Sequence, residues 1–337
     1  MRQGISPAKR SGLPAHTPAE VGVASLVFIP SLTGFYAQSL DVLALHLASL
    51  KKTLPEGERL VWDNGSCPEV VQFLEEQFHE GHIDYLFLSL HNLGKAGVLN
   101  WILASMPHRY IVFSDGDILF LDGWWEATLK IFQAFPKAGM VSPAPAFFDV
   151  RRGESRTAAM LTQAGFQIAS EIPENREVQL YYRGLGQEIP ETLPVLPFVK
   201  APDGTTACAQ SGHHVFVMPQ EVAHLVPPVP VERALAPRSV RFLHEKVEQL
   251  GYWQLSTSRS FVYHLGNTTS LPSFLTEESD FLVSVSGEQK HTSSARTHGL
   301  KGWFRETFRQ MIKRYPWLYK KTERVYNALF RLLYGEP

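Results

Sequence analysis

The chain has 337 residues, of which 44% are hydrophobic and 19% charged, an ordinary globular balance that excludes wholesale disorder. Its formal net charge of −1 provides no basic field for nucleic acid, so we expect no nucleic-acid partner. Two cysteines, Cys67 and Cys208, lie too far apart in sequence to indicate a disulfide framework, and no apolar run is long enough to span a bilayer, so we expect a cytoplasmic protein.

The first 120 residues predict alternating strands and helices, after a flexible tail over residues 1–22. Apolar runs have the length and composition of buried strands, and apolar side chains at helical spacing, such as Leu40, Leu43 and Leu47, predict helices between them. The predicted strands are 24–30, 59–62, 85–90 and the run that begins at 109, and the predicted helices are 39–50, 68–78 and 94–104. This order is typical of a parallel sheet built by right-handed crossovers.

The pattern becomes less regular after residue 120. Helices are predicted over 124–135 and 238–250, the second beginning next to Pro237, and strands over 139–143, 210–218 and 258–264. Residues 148–206 contain many prolines, glycines and charges and predict an irregular segment. Loops of this length are usually functional or disordered.

Two carboxylates follow the apolar run Ile111, Val112 and Phe113, which predicts a central strand covered on both faces. Asp115 and Asp117 would therefore lie at the mouth of an open sheet, where ligands bind. Such close carboxylates repel each other unless a cation neutralises them, which favours a divalent metal carrying an anionic ligand. The alternative is a polar turn after a buried strand. The intervening Gly116 has no Cβ, so we expect a ligand to approach the backbone there.

Four motifs in this order carry a family resemblance: Val-Trp-Asp-Asn-Gly-Ser at 61–66, His-Asn-Leu-Gly-Lys-Ala-Gly-Val-Leu-Asn at 91–100, Phe-Ser-Asp-Gly-Asp at 113–117 and Val-Tyr-His-Leu-Gly-Asn at 262–267. Together they resemble family 2 glycosyltransferases, which have the GT-A nucleotide-sugar-binding fold. The resemblance implies an α/β fold of GT-A type, with a Rossmann-like, mostly parallel sheet flanked by helices. The catalytic domain would span 23–270, with 148–206 as an acceptor-side insertion.

The resemblance also implies an activity. The family transfers a sugar from a nucleotide-diphosphate sugar, here a UDP- or GDP-sugar, to the hydroxyl of a carbohydrate or lipid-linked acceptor. By analogy Asp117 would coordinate Mn²⁺ or Mg²⁺ directly, and Asp115 would contact the ribose, or the metal through water. His264 stands where such enzymes place a third ligand, which would favour Mn²⁺. A satisfied structural histidine is the alternative.

Three further residues are candidates for donor binding. Asp63 ends a predicted strand and could accept a hydrogen bond from the base or ribose, although an Asx-turn would serve equally well. We expect Asn64 and Ser66 to cap the following helix. Gly94 and Lys95 precede a helix, where a backbone N–H and an ammonium could meet a phosphate, the alternative being a solvated turn.

The general base is the point where the sequence departs from the family pattern. The family usually carries an aspartate at the start of the late helix, but residues 236–240 contain no acid. Glu232 and Glu245 are candidates, and both could equally be surface charges, with Glu245 paired to Arg241. The missing acid favours one alternative function, a catalytically silent nucleotide-sugar-binding or scaffold protein. A sugar nucleotidyltransferase is a poorer match, because residues 30–34 lack the expected basic, glycine-rich loop.

Two adjacent histidines, His213 and His214, would lie near the acceptor cleft by analogy. Because neighbouring residues on a strand point to opposite faces, we do not expect them to hold a metal jointly.

The C-terminal part predicts a polar linker over 271–298 and a basic amphipathic helical extension over 299–337. Residues 301–337 contain nine lysines or arginines and three glutamates, a net charge of +6, interspersed with aromatic side chains. This composition suits the anionic inner face of a membrane. Packing on the catalytic domain or on a second subunit of a homo-oligomer is the alternative.

Overall fold

The computed structural model describes residues 15–147, 156–231 and 237–278, which form a ten-stranded sheet covered by helices and a second sheet of two strands. The strands are β1 (Val21–Val27), β2 (Glu58–Asp63), β3 (Tyr85–Leu88), β4 (Tyr110–Asp115), β5 (Ile118–Phe120), β6 (Ala138–Ser142), β7 (Ile168–Glu171), β8 (Leu196–Lys200), β9 (Thr206–Cys208), β10 (Val215–Pro219), β11 (Trp253–Thr257) and β12 (Val262–His264). The α-helices are α1 (Ser39–Thr53), α2 (Pro68–His79), α3 (Gly94–Ser105), α4 (Trp124–Ala134), α5 (Arg156–Gln163), α6 (Asn175–Gly184), α7 (Gln220–Leu225), α8 (Pro237–Gln249) and α9 (Ser273–Glu278).

The large sheet has the order β3-β2-β1-β4-β10-β6-β11-β9-β8-β7. Seven of its strands run in one direction, and β7, β9 and β10 run in the other. Helices cross between β1, β2, β3 and β4, which pair in parallel, because parallel neighbours cannot be joined by a tight turn. The predicted α/β class, a mostly parallel sheet flanked by helices, is confirmed.

The register of the parallel strands determines which side chains meet at the edge of the sheet. Val27 at the end of β1 pairs with Asp63 of β2, and Leu26 pairs with Asp115 of β4. The two aspartates therefore flank the end of β1 on its two sides. Because the strands run in parallel, both carboxylates lie at the same, carboxyl edge of the sheet.

Apolar layers cover both faces of the sheet. On one face, Leu99 of α3, Val222 of α7 and Leu243 of α8 pack with Phe113 of β4, and all four are buried. On the other face, α1 and α4 contribute Leu50 and Trp124 to a second buried cluster. This burial on both sides explains why β1 and β4 are nearly uninterrupted apolar runs.

Three predictions about the second half are wrong. The segment 148–206 contains α5, β7, α6 and β8. The hydrophobic pattern does not predict α6 because its buried face includes the charged Glu177, and it does not predict β8 because Pro197 interrupts the strand. The strand expected from 210 begins only at Val215, and residues 213 and 214 form a bend before it. The strand expected over 258–264 is limited to β12, which pairs with β5 instead of joining the large sheet.

The basic extension and most of the predicted linker lie outside the described residues, as do positions 1–14 of the predicted tail. The described chain ends in the short helix α9. Within the described parts of the chain, we find no helix with the length and apolar character needed to cross a bilayer.

Candidate functional site

The turn Asp115-Gly116-Asp117 joins β4 to β5 at the carboxyl edge of the sheet. The Gly116 N–H donates to the Leu26 carbonyl at 3.0 Å, and a Cβ at position 116 would lie 3.0 Å from the same oxygen. A glycine is therefore needed so that the turn can pack against β1. The expectation that Gly116 leaves room for a ligand is wrong, because its open side faces the protein backbone.

A buried histidine fixes the far end of this turn. His46 of α1 donates through Nδ1 to the Ile118 carbonyl at 2.6 Å, and the Ser25 hydroxyl lies 2.7 Å from its Nε2. Burial lowers the pKa of His46, despite the opposing effects of that carbonyl and of the two aspartates. A neutral imidazole with Nδ1 protonated satisfies both neighbours, since Ser25 can then donate to Nε2.

Asp115 is held by an ammonium group. Lys95 Nζ, in the first turn of α3, lies 2.6 Å from Oδ1 and 2.8 Å from Oδ2 of Asp115, and it also donates to the His213 carbonyl at 3.0 Å. His214 Nδ1 lies 3.3 Å from Oδ2. Burial would raise the pKa of Asp115, but the Lys95 charge and His214 outweigh it and hold the pKa well below its usual range.

Asp117 and His264 form a second pair. Asp117 Oδ2 lies 3.2 Å from His264 Nε2, and Asp117 Oδ1 is buried without a hydrogen-bond partner. His264 donates through Nδ1 to the Gly184 carbonyl at 2.9 Å. Burial would lower the pKa of His264, but its hydrogen bond to Asp117 and the carboxylate charge raise the pKa to about 9. These contacts therefore favour the imidazolium form of His264 at neutral pH.

Gly184 was not among the predicted site residues, and no signal in the sequence identifies it. A Cβ at this position would lie 2.9 Å from the His264 carbonyl oxygen and 3.2 Å from the His264 Cβ. The missing side chain lets the C-terminal end of α6 approach β12 closely enough for the hydrogen bond to form. Gly184 therefore positions the imidazole.

Three imidazoles lie side by side next to the aspartates. The ring centroids of His213 and His214 are 4.0 Å apart, and those of His214 and His264 are 4.7 Å apart. The predicted alternation of His213 and His214 does not apply, because both residues precede β10 in a bend. Burial, followed by the neighbouring His214 and Lys95, lowers the pKa of His213 to about 2, so this ring is neutral.

Asp63 is 1% exposed, and its carboxylate accepts the N–H groups of Gly65 and Ser66 at 3.2–3.3 Å. This is the geometry of the Asx-turn alternative.

The predicted capping of α2 by Asn64 and Ser66 is wrong. The Ser66 hydroxyl accepts the Ile29 N–H at 2.9 Å, and no side chain caps α2.

Asn64 instead ties the loop after β2 to the loop before α3. Its Oδ1 accepts the Leu93 N–H at 2.8 Å, and its Nδ2 donates to Asn92 Oδ1 at 2.9 Å. Asn92 Oδ1 also accepts the Gly94 N–H at 2.8 Å, and the φ of +69° at Gly94 favours glycine. The N–H that was expected to meet a phosphate is therefore bonded within the loop.

Of the two candidates for the general base, the structure describes Glu245. Glu245 lies on α8, where its carboxylate is half exposed and accepts a hydrogen bond from Arg241 at 2.7 Å. This pairing corresponds to the surface alternative. Glu232 lies outside the described residues.

The residues that are present fit a metal ion only in part. Within 15–147, 156–231 and 237–278, no group of three or more His, Cys, Asp or Glu side chains is arranged to hold one. The orphaned Asp117 Oδ1 beside an imidazole is nevertheless an oxygen–nitrogen donor set that suits Mn²⁺. Asp117 and His264 could thus bind a cation whose other ligands come from a bound molecule. Asp115 differs, because both of its oxygens contact Lys95.

Comparison with known proteins finds a similarity to one family. Residues 32–192 match the model described as Glycosyl transferase family 2, which confirms the predicted resemblance. The motif at 262–267, with His264, lies beyond the match. A comparison with curated proteins finds no match.

Two solved structures are similar to this chain. The mannosyltransferase PcManGT from Pyrobaculum calidifontis, in complex with GDP-Man and Mn²⁺, is 12% identical with a TM-score of 0.46, and the alignment covers 83% of this chain. It covers 66% of the mannosyltransferase, just under two thirds of that chain. S. aureus TarS 1-349 is 11% identical with a TM-score of 0.43, over 84% of this chain and 76% of TarS.

Proposed function

Because residues 32–192 match glycosyl transferase family 2, we propose that the protein transfers a sugar from a nucleotide-diphosphate sugar to an acceptor hydroxyl. The observation that carries this proposal is the pair of carboxylates at the carboxyl end of β4, each within hydrogen-bond reach of a basic side chain. UDP- and GDP-sugars are the candidate donors. The proposed location is the cytoplasm, with residues 299–337 at the inner face of the membrane.

In this proposal, Asp117 and His264 hold Mn²⁺ or Mg²⁺. The hydrogen bond to the Gly184 carbonyl keeps a proton on Nδ1 of His264, so the neutral ring offers the Nε2 lone pair to the ion. When bound, the metal supplies Lewis-acid neutralisation of the diphosphate leaving group. Lys95 adds a fixed positive charge next to Asp115, which favours an anionic ligand at this edge.

The base and the stereochemistry are further parts of the proposal. An inverting transfer requires a group that takes the acceptor proton, and Glu232 and Glu245 are the candidates. The contact between Glu245 and Arg241 favours Glu232.

The absence of an acid at 236–240 supports a second candidate function, a nucleotide-sugar-binding protein without turnover. Hydrolysis of bound donor in the presence of Mn²⁺ distinguishes the two candidates.

Calorimetric titration with UDP-, GDP- and dTDP-sugars in the presence of Mn²⁺ tests the proposal. We expect one donor class to bind, and Asp117→Asn to weaken this binding by at least about tenfold, because the ion loses a charged ligand. Asp122→Asn is the matched control, since the Asp122 side chain is 64% exposed and lies 3.8 Å from Lys52 in a surface pair. If no donor binds, or if both variants bind equally well, the proposed function is wrong.

A further inference from the structure

A pocket opens beside His214 and His264, between the ends of β6 and β10 and the helix α6. The space between its walls is about 580 Å³ when the open solvent at its mouth is included. Leu180, Tyr181 and Leu185, in and just after α6, line it together with residues 144–146. The pocket therefore adjoins the candidate centre through His214 and His264.

The side chains that line this pocket are mostly apolar. Its polar side chains are two serines, two histidines and one tyrosine, and no carboxylate, carboxamide or guanidinium is among the described residues that line it. The histidines are already hydrogen-bonded to the two aspartates and to Gly184. A sugar bound here would leave several hydroxyl groups without partners, at a cost of about 1–3 kcal/mol each.

The walls of the pocket are held by packing and by hydrogen bonds. Tyr181 stacks on Phe147, with ring centroids 4.4 Å apart and an interplanar angle of 18°. The Ser260 N–H donates to the buried Glu177 of α6 at 2.5 Å. A Cβ at Gly212 would lie 2.9 Å from the Ser142 hydroxyl, so the glycine allows these two parts of the lining to approach. A preformed pocket binds an apolar group with little ordering cost.

We infer that this pocket binds an apolar aglycone of the acceptor, so that the acceptor is an amphiphile whose hydroxyl lies beside His264. The inference rests on the proposed function, which it deepens. In the transfer, the acceptor oxygen bonds to C1 of the sugar while the bond from C1 to the diphosphate breaks. The diphosphate leaves with the electron pair, and the acceptor proton passes to a protein base or to water.

Binding of four glucosides to the full-length protein tests the inference by calorimetry. Octyl β-glucoside, used below its micelle concentration, and phenyl β-glucoside carry an apolar aglycone, whereas methyl β-glucoside and glucose do not. We expect octyl or phenyl β-glucoside to bind at least about tenfold more tightly than methyl β-glucoside. The stronger of the two identifies the aglycone as alkyl or aryl. Equal binding of all four overturns the inference.

Variants of the pocket locate the binding. Ala144→Phe fills the space and Leu185→Ser removes apolar surface, and each should weaken binding of the preferred glucoside at least about fivefold. Leu225→Ser is the control, because Leu225 is 55% exposed at the end of α7 and does not line the pocket. Unchanged affinity in both pocket variants overturns the inference.

Donor binding, measured separately, distinguishes the two proposals. If the donor binds and the glucosides do not, the inference fails and the proposed function stands. If the glucosides bind in the pocket and no donor binds, the assignment of the pocket to an acceptor fails together with the proposed function.

Discussion

The two carboxylates after β4 are each matched with a basic side chain from a different part of the fold. Asp115 contacts Lys95, and Asp117 contacts His264. These contacts offset the charge repulsion that is expected between two aspartates separated by one residue. The protein therefore stabilises its anionic edge with its own cations, and a donor diphosphate would have to share Lys95 with Asp115.

Replacement of Lys95 tests how strongly the protein depends on its pair with Asp115. Lys95→Met leaves the partly buried carboxylate of Asp115, which is 24% exposed, with His214 as its remaining side-chain partner among the described residues, so we expect the free energy of unfolding to fall by about 1–3 kcal/mol at pH 7. Urea unfolding measures the change.

Lys52→Met is the matched control for this prediction. Lys52 lies 3.8 Å from Asp122 in a pair whose side chains are 38% and 64% exposed, and exposed pairs contribute about 0–1 kcal/mol. Equal losses in the two variants would contradict a special role for the contact between Lys95 and Asp115.

The helix α6 is the element that most affects the geometry of the candidate site. Its C-terminal residue Gly184 accepts the hydrogen bond from His264, and its inward side contributes Leu180 and Tyr181 to the pocket. Arg176 and the buried Glu177, 3.0 Å apart in its first turn, both contact Ser260 in the loop before β12. The Arg176 guanidinium donates to the Ser260 carbonyl, and the Glu177 carboxylate accepts the Ser260 N–H. One helix thus holds both the imidazole and the pocket wall.

A methyl group at position 184 should separate α6 from β12. Gly184→Ala would place a Cβ 2.9 Å from the His264 carbonyl oxygen, and we expect the free energy of unfolding to fall by about 1–3 kcal/mol. Urea unfolding measures the loss, and the NMR shifts of the His264 ring report its displacement. Arg183→Ala, at the neighbouring exposed position, should change stability by less than about 0.5 kcal/mol. An unchanged His264 ring in Gly184→Ala would contradict the positioning role.

The strands of the molecule are also connected at the end opposite to the candidate site. Glu58, the first residue of β2, lies 2.6 Å from His108 Nε2, before β4, and 2.5 Å from His16 Nε2, before β1. Burial would raise the pKa of Glu58, but the hydrogen bonds from His16, His108 and the Ala19 N–H lower it to about 2. One carboxylate therefore joins the starts of three strands that are adjacent in the sheet.

The stability of the whole molecule should depend on pH through Glu58. Because its pKa falls from 4.5 to about 2 on folding, its contribution is fully present above about pH 4.5 and is lost as the pH falls towards 2. We expect Glu58→Gln to cost about 1–3 kcal/mol at pH 7 and progressively less below pH 4.5. Urea unfolding of both proteins at pH 7, 5, 4 and 3 measures the difference.

A surface carboxylate provides the control for the pH dependence. Glu20 pairs with Arg109 at 3.0 Å, and the two side chains are 52% and 72% exposed, so Glu20→Gln should have little effect at any of these pH values. A constant difference between wild type and Glu58→Gln from pH 7 to pH 3 would show that the carboxylate charge is not responsible.

The sequence by itself determined the parallel half of the fold and the positions of the acidic residues. Apolar runs and helical spacing are local properties, so β1, β2, β4 and the helices between them follow from short stretches of chain. Because the ends of parallel strands share one edge, the same reasoning brings Asp63 and Asp115 together. The four ordered motifs were sufficient to predict the resemblance to glycosyl transferase family 2, which the match over residues 32–192 confirms.

Only the tertiary structure decided which side chains meet at that edge. Lys95 reaches the carbonyl of His213, 118 residues away, and His264 reaches that of Gly184, 80 residues away. The first contact depends on where α3 begins, and the second on how closely α6 packs against β12. No periodicity or spacing in the sequence encodes contacts between such distant positions, because these contacts result from the packing of whole elements against one another. The pocket beside His264 arises in the same way, from walls that the chain contributes in separate segments.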